Sequence, residues 1–179
     1  MAAVNTPVVR KSAALLDYGR CRVSEVSACA SAAGALALTA TTGLALLLVG
    51  LPPVRALLFA LKLLPRPGEG PSKELRDTGF FNHYLLAESG DEDTYATVHV
   101  RGARGDPGYK TTAAMAVECA ACLAMEKDSL PGAGGGVLTP ASCFGAAVVD
   151  YLTRAGVTFE VRGAGATAPA AAAAEVVRA

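Results

Sequence analysis

Gly135-Gly136-Val137-Leu138-Thr139-Pro140-Ala141, continued by Phe144, Val148, Tyr151, Leu152 and Ala155, is the stretch on which the fold turns. Thr139 is a cap residue whose hydroxyl can accept from the first free amides. Pro140 stands at the first helical position, where its missing N–H is no loss. The apolar residues that follow share one helical face, and Arg154 and Gly156 close the helix. Val157 to Val161 then reads as a short strand, so helix and strand form one αβ unit.

Working towards the N-terminus, Pro131 to Gly136 is a flexible loop. Before it, Thr111 to Met125 is a nearly all-apolar helix with Glu118 as its sole charge. Such composition predicts a helix buried on most sides. Gly105-Asp106-Pro107-Gly108-Tyr109 is a turn. Phe80 to Ala87 and Thr94 to Val100 are two β-leaning runs around Ser89-Gly90-Asp91-Glu92-Asp93, a pattern that predicts a hairpin. In the second run Ala96, Val98 and Val100 alternate with Tyr95, Thr97, His99 and Arg101, which assigns the aliphatic face to the core and His99 to solvent or a partner. The expected fold class is therefore α/β (α+β), a partial domain over residues 78–162. It comprises a β-hairpin, two core helices and a short C-terminal strand, followed by an Ala/Gly-rich tail over 163–179 that frays or stays disordered.

A second decisive stretch lies upstream. From Val26 to Val54 no residue is charged, and roughly 20 such residues suffice to cross a hydrocarbon layer. Leu51-Pro52-Pro53 breaks the helix, and Val54 to Leu64 resumes it with Arg55 and Lys62 on one side, an interfacial pattern. Residues 26–64 are thus read as apolar membrane-associating helices broken at Pro52-Pro53, either a span or a hairpin dipping into one leaflet. The alternative is a buried helix of a soluble core. The run begins too late for an ordinary cleaved signal peptide and is read as retained. Residues 1–25 form an N-terminal segment, and 65–77 a linker whose Pro65 to Pro71 portion excludes helix.

Lys plus Arg equal Asp plus Glu at 16 each, and no basic run is interleaved with aromatics, so nucleic acid is not an expected partner. Five cysteines without a disulfide-framework spacing suit a reducing compartment. Cys119-Ala-Ala-Cys122 lacks a second pair to complete a zinc site and lies mid-helix, away from the amides that would activate a thiol; two small core residues is the better reading. His83 and His99 are the two histidines, too few for a His-based metal site. No metal ligand set and no catalytic residue is assigned. The start of the apolar helix, with Lys110, Thr111 and Thr112 beside free amides, is an anion-binding geometry, although a Thr cap is the plainer reading. Tyr109 and Thr111 are the candidates for lining a substrate pocket, because a glycine-flanked helix start often borders a ligand. Gly163-Ala-Gly165-Ala-Thr-Ala168 follows a strand and matches a relaxed dinucleotide pattern. It lacks the helix, strand and acidic residue that such a site needs.

Two blocks carry a family resemblance: Gly105 to Thr111 leading into Met115–Leu123, and Gly135 to Ala141 leading through Leu152 to Val161. Both resemble the C-terminal end of saccharopine dehydrogenase-like oxidoreductases, the family that includes trans-acting enoyl reductases. Val8 to Ser12, the Pro-Pro break and the Pro-Gly-Glu-Gly-Pro linker are similar to its middle region. The resemblance implies an enzyme of lipid metabolism whose N-terminal Rossmann domain binds NAD or NADP, often at a membrane or lipid droplet. That domain is not in this sequence, so the chain alone is expected to bind no cofactor and to be inactive. Expected partners are a lipid membrane or droplet surface facing the cytosol, and a homodimer mate or the missing Rossmann domain. A non-enzymatic membrane-anchored interaction module is the alternative.

Overall fold

The computed structural model describes residues 2–19, 21–29, 31–65, 68–89 and 94–166. In chain order its elements are α1 (Ala2–Leu15), α2 (Ala32–Gly50), α3 (Pro52–Ala60), α4 (Lys73–Thr78), β1 (Phe81–Glu88), β2 (Thr94–Gly102), α5 (Lys110–Glu126), α6 (Pro140–Phe144), α7 (Val148–Arg154) and β3 (Val157–Ala166). They divide into two units, residues 26–72 and residues 1–25 with 73–179.

In the larger unit the strands form an antiparallel sheet ordered β1-β2-β3. The expected hairpin is present, and Ser89 N–H donates to the Thr94 carbonyl at 2.9 Å to close it. Residues 90–93 of its link lie outside the described residues. β3 runs past its expected end at Val161, so 163–166 are strand and not tail; they pair with Thr94 to Thr97. Residues 167–179 lie outside the described residues. Thr97 pairs with Gly163 but Val98 with Val161, which leaves Arg162 as the extra residue of a bulge.

The burial of β2 is the reverse of its expected pattern. Thr97 and His99 are buried, while Val98 and Val100 are only half-buried. The polar face is covered by its own long side chains: the Tyr84 ring stacks on His99 from the neighbouring strand, and the bulged Arg162 reaches it from the other side. The aliphatic face has exposed neighbours on both flanking strands.

The helical core consists of Cys122, Leu130, Phe144 and Tyr151, with Cys119, Ala121, Cys143 and Val148 packed against it. α5 is less buried than its composition suggests, since Thr111 and Cys122 are its buried residues and Val117, Leu123 and Met125 are exposed. One stripe of α5 meets α7, and among the described residues nothing covers Val117, Leu123 and Met125. The helix expected from Pro140 to Ala155 is two, because Gly145 at φ +57 breaks it between α6 and α7. That left-handed conformation suits glycine. Thr139 caps α6 as expected, in a reciprocal box with Ser142. α1 reaches this cap through Ser12. The expected linker also ends in structure, the short helix α4, while its Arg66 and Pro67 lie outside the described residues.

The smaller unit is built on α2 and α3. α2 starts at Ala32, later than the expected Val26, with Ser31 Oγ accepting from Gly34 N–H at 3.1 Å. At ~1.5 Å per residue its 19 residues extend about 28 Å. Its mean hydropathy is 1.9 and none of its residues is buried. Thr39 and Thr41 return their hydroxyls to the Ala35 and Ala37 carbonyls at 2.8 Å, so these polar groups are satisfied within the helix. Leu51 is extended before Pro52, the expected break. α3 stops at Ala60, and Lys62 at φ +55 lies beyond it, so Arg55 and Lys62 do not share a helical face.

Candidate functional site

The start of α5 is capped neither by Thr111 nor by a free anion site. Asp106, in the Gly-Asp-Pro-Gly turn, accepts from the amides of Gly108 (3.0 Å), Tyr109 (2.9 Å) and Lys110 (3.0 Å). These are the donors that an external phosphate would need, and the Asp106 carboxylate already holds them. The bonds hold its carboxyl below the usual carboxylate range, with the Lys110 amide the largest cause. Thr111 is buried and its hydroxyl donates to the Gly105 carbonyl at 2.9 Å, while Tyr109 is exposed beside the turn.

Thr111 borders a shallow, open depression whose wall and floor include Arg104, Lys110, Val117, Glu118 and Arg154. Gly156 at φ +90 lets the Arg104 stem lie against the backbone, where a Cβ would stand 2.4 Å from its Cδ. Arg104 donates to the Arg154 carbonyl at 3.4 Å, and the Arg154 guanidinium sits 4.4 Å over the Tyr151 ring. Lys110 is paired to Asp77 at 2.7 Å; with Lys73 on its other oxygen, Asp77 is lowered to about 2, the Lys110 bond being the larger cause. The depression is lined by the cations Arg104, Lys110 and Arg154 and the carboxylate Glu118, with apolar side chains such as Val117 and Ala155 among them, and Tyr109 is not among its lining residues.

A second cluster lies on the sheet and was missed in the sequence. His99 is stacked on Tyr84 with ring centroids 4.5 Å apart, its Nε2 is 3.1 Å from Asn82 Oδ1, and its Nδ1 is 3.1 Å from Arg162 Nη2. Arginine can only donate, so Nδ1 accepts and Nε2 carries the proton given to Asn82; the tautomer follows from the partners. Both ring nitrogens are engaged, which makes His99 a tie across three strands. Its signal in the sequence is the hairpin register, which sets Tyr84 opposite it.

The thiols of Cys119 and Cys122 are raised by burial, which disfavours the reactive thiolate. Among the described residues no group of three or more His, Cys, Asp or Glu is placed to hold a metal ion. The glycine pattern at Gly163 and Gly165 lies inside β3, paired with Thr97 and Tyr95. Over residues 163–166 it is an extended ladder, a conformation that does not wrap a pyrophosphate as a tight glycine turn does; Thr167 and Ala168 of the pattern lie outside the described residues.

Comparison with known proteins gives the context. A Mycobacterium tuberculosis protein provisionally named trans-acting enoyl reductase is 37% identical over 179 aligned positions, covering 89% of this chain and 39% of that protein. A Mycobacterium bovis trans-acting enoyl reductase is 34% identical, covering 87% of this chain and 38% of its own length. One from Mycobacterium ulcerans is 35% identical, with coverages of 86% and 38%. The chain spans about two-fifths of the length of these relatives. No family model matches it, and no solved structure shows significant similarity.

Proposed function

We propose, from the premise that the chain is a relative of one portion of the trans-acting enoyl reductases, that it serves as the non-cofactor portion of an enoyl-reductase-like oxidoreductase in lipid metabolism. The observation that carries this is the similarity over nearly nine-tenths of the chain to proteins bearing that name. On this reading the protein belongs to the wider saccharopine dehydrogenase-like group. Hydride transfer from NADH or NADPH requires polypeptide present in the remaining three-fifths of the relatives, and the chain alone is inactive. On this reading the candidates for meeting substrate are Thr111, which lines the depression at the start of α5, and Tyr109, which is exposed beside it.

The reading also places the chain at a membrane or lipid droplet. An uncharged 19-residue helix with every residue out of the core, and with its threonine hydroxyls satisfied internally, supports contact with lipid. The alternative, a membrane-anchored interaction module without catalysis, draws on the same helix.

The test joins this chain to the polypeptide of the M. tuberculosis relative that lies outside the match, and assays NADPH oxidation with an enoyl thioester. Turnover that depends on both parts supports the proposal. A joined, folded protein with no turnover on any enoyl thioester contradicts it and favours the interaction module.

A further inference from the structure

The sheet carries an ordered apolar surface on the face opposite His99. Leu85, Val98 and Val161 stand in register across the three strands, and Val100 and Phe159 stand opposite each other in the next row, with His83 at its end. Residues directly opposite one another in a ladder share a face. Leu85 is 51% exposed and Val161 73%, and Phe159 is exposed as well. The other face supplies its own cover through Tyr84, His99 and Arg162.

A sheet with one apolar face is stable in water when a second layer covers that face. A contiguous apolar surface of this kind marks an interface. The relatives contain polypeptide to supply one, since the match accounts for 39% of their length. We infer that the Leu85–Val98–Val161 face is the seat of the polypeptide forming the remaining three-fifths of the relatives, in the same longer chain or as a separate one. The inference rests on the reading above. It adds the surface: apolar side chains of that polypeptide lie across both cross-strand rows. A second copy of this chain would have to bury the same rows against themselves, and nothing in the length of the relatives calls for it.

The test co-produces the 179-residue chain with the part of the M. tuberculosis relative outside the match, as separate chains and as one joined chain. Leu85→Lys with Val161→Lys is the probe, because both side chains are exposed and charge there leaves the isolated chain folded, as circular dichroism will verify. Arg101→Glu on the opposite face is the control. The expected result is a one-to-one complex by light scattering, weakened at least about tenfold by the double substitution and unchanged by the control. Equal retention of the double variant overturns the inference. So does absence of any wild-type complex, or a homodimer of this chain that the double substitution dissolves.

Amide exchange over Phe81–Glu88 separates this inference from the functional reading. Slowed exchange in the joined protein without enoyl reduction leaves the interface standing and sinks the reductase. Reduction with exchange unchanged by joining, and indifferent to the double substitution, sinks the interface alone.

Discussion

Ser12 Oγ and Thr139 Oγ1 lie 2.7 Å apart in a buried hydroxyl pair that joins residues 127 positions apart. The Thr139 hydroxyl also caps α6 by accepting from Ser142 N–H at 3.3 Å, while Ser142 Oγ accepts from Thr139 N–H at 3.0 Å. The N-terminal helix is therefore tied to the cap that begins the αβ unit. Thr139→Ala should lower stability by about 1–2 kcal/mol through the lost cap, and Ser12→Ala by about 1 kcal/mol. Because the two share one bond, urea denaturation of the double variant should show less than the sum, by about 0.5 kcal/mol or more. Strict additivity would mean that the pair contributes nothing.

Acid should loosen the start of α5. Asp77 is lowered from 3.8 to about 2 by Lys110 and then Lys73, and Asp106 is lowered by the amides it caps. Both titrate lower folded than unfolded, so their stabilisation is present above the ordinary carboxylate value and is lost as pH falls through the folded one. Urea midpoints should drop between about pH 5 and about pH 2.5, and Asp77→Asn should flatten that dependence. An unchanged slope in Asp77→Asn would remove the Lys110–Asp77 pair from the account.

The αβ unit was legible because capping and turn chemistry are local: Thr139-Pro140 and the hairpin runs stand where composition puts them. The single long helix failed at Gly145, which takes φ +57 beside Pro131, where an added Cβ would stand 3.0 Å from the Pro131 Cγ; neither the turn nor that neighbour is written in the local sequence. Asp106 was within reach of sequence reasoning, since Asp four residues before Lys110 in a Gly-Asp-Pro-Gly turn is a cap signal. The Ser12–Thr139 bond was not, because nothing local links the two residues. The faces of β2 were not legible, because alternation marks an aliphatic face without saying whether anything covers it; what covers a sheet is a tertiary fact.

Thiol labelling should follow burial. Cys21 is exposed, whereas Cys122 is fully buried and its thiol is raised first by desolvation. Alkylation of the native protein followed by mass spectrometry should modify Cys21 first and Cys122 only with unfolding. Native labelling of Cys122 at the rate of Cys21 would contradict the helical core described above.

The proposed lipid contact predicts that the chain pellets or floats with lipid after carbonate extraction. Leu44→Arg with Leu47→Arg, near the middle of α2, should move it to the supernatant, since each central charge costs about 2.5–3.5 kcal/mol in a membrane helix. Wild-type protein recovered in the supernatant would remove lipid from the proposal.

The most direct test of the central claim is calorimetric titration of the purified 179-residue chain with NADPH and NADH, beside the same titration of the joined protein. The account predicts saturable binding by the joined protein and none by the chain alone. Saturable, stoichiometric binding by the chain alone would contradict it.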